Sequence, residues 1–328
     1  MIEKNTSTGL FSLNSLNKNV LVNAAKIIIA AGLLYYLINS VEYNQIVLAI
    51  NNANLAIIFL VFLLGILNVF LQYSKWRLTC KEVLGVEAKS KILRSLFYGF
   101  SAGIITPLRI GEYFGRGIEF KDKSMVQVTV ATLVDKFFPL MMVAFLGSIS
   151  SLLFIYFYYE VSIFLVLSLF ILIFTFFYML ILLLMNNRFW NSILFSKINS
   201  SKRLKPFIEK LKKFENLDRA YFYKMLMISF LFYSCFLIQY ALLVAAFSHH
   251  FDFMQYLWAG NLIMFAKTII PPISFGELGI REGASVYFIS MMGESASVGF
   301  NASIFLFIIN LLIPALIGVG MFLRKNGN

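Results

Sequence analysis

Residues 104–116 read I-I-T-P-L-R-I-G-E-Y-F-G-R, and residues 269–281 read I-I-P-P-I-S-F-G-E-L-G-I-R. The two align without gaps at an offset of 165, so that Ile104, Ile105, Pro107, Gly111, Glu112 and Arg116 meet Ile269, Ile270, Pro272, Gly276, Glu277 and Arg281. Six identities in thirteen positions, among them a Pro, a Gly, a Glu and an Arg, mark a duplication. Each copy is embedded in apolar sequence, where charge is costly and functional by default. The pair reads as two halves of one intramembrane site.

Working outward, 60% of the 328 residues are hydrophobic and 13% are charged, with a mean hydropathy of +0.81. A soluble domain of this size cannot hide so much apolar surface, so the solvent is lipid. Several apolar runs reach the roughly 20 residues that a helix needs to cross the hydrocarbon. The alternating ten-residue strands of a barrel are absent. Full spans are expected near 22–38, 53–73, 125–149, 161–185, 225–247 and 297–323. The stretch from Met1 to Val20 lacks the ordered regions of a cleaved signal, so the first apolar run is expected to stay as a span.

Loop charge sets the orientation. Residues 1–26, 74–94, 186–224 and 324–325 carry 3, 6, 10 and 2 basic residues, whereas 39–52, 150–160, 248–260 and 292–296 carry none. The positive-inside rule places both termini in the cytoplasm. It also explains the net charge of +12 without nucleic acid. The first motif lies between Arg94 and Lys121, both cytoplasmic, and the second between two loops without Lys or Arg. Each must enter and return on one side, from opposite faces. At about 25–30 residues, each suits two half-helices of about ten residues meeting at a Pro-centred bend. The expected fold is all-α: a polytopic membrane protein with six full spans and two re-entrant half-helix hairpins arranged as an inverted repeat, an arrangement that transporters use. Residues 1–328 form a single integral membrane domain, with the repeats at 95–120 and 260–292. In the basic cytoplasmic loop 186–224, Leu204, Phe207, Ile208, Leu211, Phe214 and Leu217 recur at helical spacing among lysines and arginines. That pattern predicts an amphipathic helix on the anionic inner leaflet, with a solvated connector as the alternative.

In each motif Glu and Arg stand four residues apart, stacked on one helix face. A half-helix starting near Gly111 or Gly276 would turn its unpaired N–H groups toward mid-membrane, where they attract phosphate or carboxylate. Glycine there would let a ligand approach the backbone. Arg109 adds a forked donor suited to phosphate, and Ser274 stands in its place in the second copy. Arg109, Gly111, Glu112, Arg116, Gly276, Glu277, Arg281 and Glu282 are therefore the candidate substrate-binding residues. The plainer alternative is that the Glu–Arg pairs only hold the bends. Asp135, Lys136 and Lys267 are accessory candidates. Asp135 and Lys136 are sequence neighbours on different faces and need separate partners, unless Lys136 snorkels to the interface, and Pro139 should kink their helix. His249, His250 and Asp252 do not complete a metal set. Cys80, in a basic loop, and Cys235, in a span, imply no disulfide. Asn68, Gln72, Gln239 and Asn310 are expected to bond between helices. No nucleotide-binding or hydrolase signature is present, so no cofactor and no enzyme chemistry is expected.

The two motifs resemble the paired signatures of the lysylphosphatidylglycerol synthase transmembrane-region family, the flippase-like membrane part of the multiple peptide resistance factor. The likeness extends over nearly the whole chain. It implies a protein of a bacterial or archaeal cytoplasmic (inner) membrane that moves an anionic or aminoacylated phospholipid, or an isoprenoid-linked lipid, between leaflets. A lipid-synthesising enzyme or glycosyltransferase is the implied partner. By motif match, Arg109, Glu112, Arg116, Glu277, Arg281 and Glu282 carry over as site residues. Where similar proteins show Glu-Arg followed three residues later by Asp, this chain has Asp135-Lys136 and then Pro139, so the third carboxylate's role does not carry over directly. No soluble aminoacyl-transfer domain follows residue 328, so lysyl-lipid synthesis is not expected. A secondary transporter of a small soluble anion and an intramembrane lipid-modifying transferase are the alternatives.

Overall fold

The computed structural model describes residues 43–106, 108–184, 219–270 and 279–326. The expected span at 22–38, nearly all of the loop 186–224, and the second bend with Ser274, Gly276 and Glu277 lie outside the described residues. Within them, all regular structure is helical. Helix α1 (Tyr43–Asn51) occupies ground read as an external loop. Helix α2 (Leu55–Thr79) starts at Asn54, whose side chain accepts from the backbone N–H groups of Ala56 and Ile57. It continues through a π-turn, Cys80–Leu84, and stops at Gly85, which adopts φ 64. The span thus passes well beyond residue 73, and Cys80 is buried in packed helix instead of lying in a loop.

A helical hairpin follows, α3 (Lys89–Ile104) and α4 (Gly111–Gly117). Helix α5 (Met125–Tyr159) opens on a reciprocal cap between Ser124 and Gln127 and runs on through Pro139. Then come α6 (Ile163–Leu184) and α7 (Arg219–Ser248). A second hairpin pairs α8 (Phe253–Ile269) with α9 (Ile280–Met291). Helix α10 (Ala296–Phe307) passes through a π-turn, Ile308–Leu312, into α11 (Ile313–Asn326). The hairpin arms are unequal, in place of the matched half-helices of about ten residues expected.

Among the described residues, five segments are long and apolar enough to cross a bilayer: Leu55–Leu84, Met125–Tyr159, Ile163–Leu182, Arg219–Ser248 and Ala296–Lys325. The protein is a polytopic helical membrane protein. Helix α6 is the most peripheral of the described spans, since Val166 is the single buried side chain among those described on it.

The two largest clusters of the core lie one behind each hairpin. Trp76, Leu96, Phe100, Phe120 and Val128 pack behind the first. Tyr240, Val244, Tyr256, Leu262, Val298 and Leu306 pack behind the second. Polar ties fix which helix ends meet. Arg94 of α3 and Lys325 of α11 reach Glu119, just past α4, at 3.2 and 2.5 Å, and Thr79 of α2 meets Tyr221 of α7 at 3.1 Å. At the other end, Asn54 N–H donates to the Ala246 carbonyl of α7 (3.0 Å), and Gln255 of α8 donates to the Met292 carbonyl after α9 (3.3 Å). Tyr159 of α5 meets Tyr287 of α9 there, at 2.7 Å. The free arms of the two hairpins therefore lie at opposite ends of the bundle.

Candidate functional site

The first bend is built by its own sequence. Thr106 Oγ1 donates to the Ala102 carbonyl (2.9 Å) and accepts from Gly111 N–H (2.7 Å). Leu108 and Arg109 sit at φ 55 and φ 53, left-handed conformations that cost a non-glycine residue free energy. A Cβ on Gly111 would lie 2.1 Å from the Ala102 carbonyl oxygen, and one on Gly115 would lie 2.4 Å from that of Tyr98. These glycines let α3 and α4 touch backbone to backbone.

That packing corrects the reading of Gly111 as a place where a ligand meets the backbone, because α3 already fills it. The helix-end reading is corrected too. Gly111 N–H bonds Thr106, and the N–H groups of Glu112 and Tyr113 donate to the carbonyls of Arg109 and Ile110, each at 3.1 Å. The tight turn satisfies its own donors, so positive potential at this bend comes from side chains.

Those side chains form a chain of charge across three helices. Glu112 Oε2 lies 3.0 Å from Arg109 Nη2 and 2.7 Å from Lys136 Nζ, and its Oε1 lies 2.7 Å from Arg116 Nη2. Arg116 Nη1 continues to Asp135 Oδ2 at 2.8 Å, and Asp135 Oδ1 lies 3.1 Å from Lys75 Nζ. The Arg116 guanidinium stands 4.3 Å from the Trp76 ring centroid, and its carbonyl accepts from Ser95 Oγ at 2.7 Å. Asp135 and Lys136 face different partners, as neighbours on a helix must. Lys136 pairs with Glu112 and does not snorkel away.

Lys75 is the member that sequence reasoning assigned to a cytoplasmic loop. It is 4% exposed in α2, and it also donates to the Asp135 carbonyl at 2.6 Å. Pro139, four residues on, has no N–H to offer that carbonyl. The ammonium supplies the missing donor from a neighbouring helix, as a buried membrane helix with an internal proline requires. The signal was present in the spacing Asp135-x-x-x-Pro139, which announces an orphaned carbonyl in search of a cation.

Of the second motif, Ile269, Ile270 and the stretch from Gly279 onward are described. Helix α9 runs from Ile280, after Gly279 (φ 97). Gly279 N–H donates to Glu282 Oε2 at 2.6 Å, so the chain's own carboxylate serves the helix start that sequence reading gave to a ligand. Arg281 pairs with the adjacent Glu282, donates from Nε to Ser303 Oγ at 3.0 Å, and lies 5.3 Å from the Phe307 ring centroid. Ser303 was not singled out by sequence, since a lone serine in a span gives no signal.

A cavity of about 550 Å³ joins the two motifs. Lys75, Arg109, Glu112, Arg116, Asp135 and Lys136 line it, together with Lys267 and Arg281. In the first chain of charge, four cations face two carboxylates. Such an excess in low dielectric favours an anion in the cavity. Among the described residues no group of three His, Cys, Asp or Glu could hold a metal; His250 Nδ1 instead lies 3.3 Å from Glu294.

Comparison with known proteins agrees with the resemblance read from the motifs. The profile of the family described as the lysylphosphatidylglycerol synthase TM region matches residues 23–318, and the chain belongs to that family. No curated protein and no solved structure matches it.

Proposed function

We propose that this member of the lysylphosphatidylglycerol synthase TM-region family is a transporter and not an enzyme, carrying a lipid with an anionic head group between leaflets. The observation that carries the reading is the cation excess of the Lys75–Asp135–Arg116–Glu112 chain on the wall of a 550 Å³ cavity. Charge buried among membrane spans is retained where it handles a substrate. The head group enters the cavity and meets Arg109 and Lys136, the chain's most exposed cations at 18% and 31%, while its tails stay in lipid.

The hairpins supply the means. We read α3–α4 as re-entrant from the cytoplasm and α8–α9 as re-entrant from the opposite face, with both termini cytoplasmic. The opposite placement of their free arms supports this inverted repeat, and rocking of one half against the other opens the cavity to each side in turn. An ion gradient or consumption of the lipid on arrival drives the movement.

The test is transfer of an acyl-labelled anionic lipid in proteoliposomes, read with an impermeant quencher. Replacing Arg109 by Gln removes a charge-assisted contact, and transfer should fall at least tenfold with folding intact. Wild-type transfer by a folded Arg109→Gln, Lys136→Gln protein would defeat the reading. Uptake of a labelled soluble anion without lipid movement would replace it with a solute transporter, and a new lipid species in the mass spectrum would replace it with a transferase.

A further inference from the structure

We infer that the π-turn Ile308–Leu312 and the adjoining Pro314 form the hinge on which the two hairpins rock, with α10 carried by the second hairpin and α11 by the first. The observations begin with what each segment grips. Helix α10 lies against α9. A Cβ on Gly299 would stand 2.8 Å from the Ser285 carbonyl oxygen, Ser285 Oγ donates to the Gly299 carbonyl at 2.6 Å, and Ser303 takes the bond from Arg281. Helix α11 lies against α3 instead. A Cβ on Gly318 would stand 2.2 Å from the Phe97 carbonyl oxygen, Ser101 Oγ donates to the Ala315 carbonyl at 2.6 Å, and the Phe322 ring meets Tyr98 edge to face at 5.5 Å. Lys325 adds its ion pair with Glu119. Backbone contacts this close resist sliding, so each segment moves with its own hairpin.

Between the two grips the helix is at its weakest. Ile313 N–H reaches five residues back to the Ile308 carbonyl, and Pro314 has no N–H to give. The carbonyls of Ile309 and Asn310 thereby lose the donors that a regular α-helix would supply. A π-turn beside a proline is where a long helix bends. The boundary between the two large clusters falls at the same place: Leu306 and Ile309 belong behind the second hairpin, and Ala315 behind the first. Helix α5 crosses that boundary too, from Val128 and Ala131 to Phe154, and carries Pro139 between them. Helix α2, without a proline, passes both clusters unbroken, from Val61 to Trp76. The turn is pinned in the middle. Of the span amides expected to bond between helices, Gln239 of α7 accepts from Asn310 at 3.1 Å and donates to the Val61 carbonyl at 3.2 Å, whereas Gln72 donates to Asn68 within α2 at 2.9 Å. Leu311 of the turn lines the cavity, so bending here reshapes it.

The inference rests on the transport reading for the purpose of the motion, but the motion is measured without it. Paired spin labels on the purified full chain in phosphatidylcholine nanodiscs report it as dipolar distances. Cys80 and Cys235 are buried and take no label. Leu323→Cys with Lys91→Cys joins α11 to α3, within one unit, and Leu323→Cys with Tyr223→Cys joins α11 to α7, across the hinge. All three positions are exposed. A bend of about 20° over the roughly 16 Å from the turn to Leu323 moves the label by about 5 Å. The pair across the hinge should therefore show two distances about 5 Å apart, and the pair within the unit one. Pro314→Ala returns an N–H to the turn and should favour one of the two distances by about fivefold, slowing transfer of acyl-labelled phosphatidylglycerol by a similar factor. If that variant fails to fold, the two unaltered pairs decide. One fixed distance for both pairs, two distances for both, or unchanged populations in a folded Pro314→Ala protein overturns the hinge, and transport stands if phosphatidylglycerol still crosses. Two distances across the hinge with no transfer of phosphatidylglycerol uphold the hinge and count against lipid transport.

Discussion

Arg116 and Arg281 occupy the same place in the duplicated motif, and both are nearly inaccessible, yet they are held in opposite ways. Each lies on an aromatic ring, Trp76 or Phe307, and each takes a partner from the helix that follows its hairpin, Asp135 or Ser303. There the likeness ends. Arg116 is the middle link of a chain whose carboxylates each keep another cation, Lys136 and Arg109 for Glu112 and Lys75 for Asp135. Arg281 pairs with Glu282, and among the described residues Glu282 has no second cation within salt-bridge distance. Duplication preserved the arginine and its platform, and both arginines line the cavity; among the described residues Arg116 belongs to a network of six charges, whereas Arg281 pairs with Glu282 alone.

The largest effect that would break this comparison is on folding. Arg281→Gln strands a buried carboxylate and should cost about 3–5 kcal/mol, read as unfolding in detergent. Arg116→Gln leaves Glu112 and Asp135 each with a cation and should cost about 1–3 kcal/mol. Glu282→Gln should recover most of the Arg281→Gln loss, because the neutral amide oxygen still serves Gly279. Equal losses, or a double variant no better than Arg281→Gln alone, would mean that the two arginines are energetically alike.

A smaller effect sharpens the account of the network itself. If Lys75 replaces the donor that Pro139 lacks, Lys75→Met and Pro139→Ala must be coupled. Lys75→Met leaves both the carbonyl and a carboxylate oxygen of Asp135 without their cation, a loss of roughly 2–4 kcal/mol. Pro139→Ala should return about 1 kcal/mol of that in the Lys75→Met background, where its N–H meets an empty carbonyl. In the wild-type background it should return much less. Additive effects in a double-mutant cycle would separate the two residues.

These residues show where sequence reading succeeded and where it stopped. Hydropathy located the five described spans, because transfer free energy is a property of composition. The duplicated motif led to Arg109, Glu112 and Arg116, and charge within a span led to Asp135 and Lys136. Lys75 was missed because hydropathy ends a span at its first charge, and only a partner sixty residues away makes that charge tolerable in helix. The helix-end anion site failed at α4 because local geometry decides which N–H groups are free, and Thr106 in the bend had taken one.

The smallest effect concerns the ends of the bundle, where Glu119 and Glu294 each tie down a hairpin. Glu294 accepts from the neutral Tyr256 hydroxyl at 2.5 Å, whereas Glu119 is gripped by two cations, Arg94 and Lys325. Burial works against ionisation of Glu119, but the hydrogen bonds from Lys325 and Arg94 outweigh it and hold the carboxyl below its ordinary value of 4.5. A carboxyl whose folded pKa is depressed stabilises the fold fully above the unfolded value, and the benefit drains away as pH falls through the lower folded value. Both cations are partly exposed, at 36% and 42%, so screening keeps the contribution under about 1 kcal/mol. Wild-type protein should therefore melt slightly above Glu119→Gln at pH 7, and the gap should close below about pH 4.5. A gap that widened on acidification would show that the neutral acid, and not the carboxylate, is the form that fits between α3, α4 and α11. The two ends would then be held by the same kind of bond.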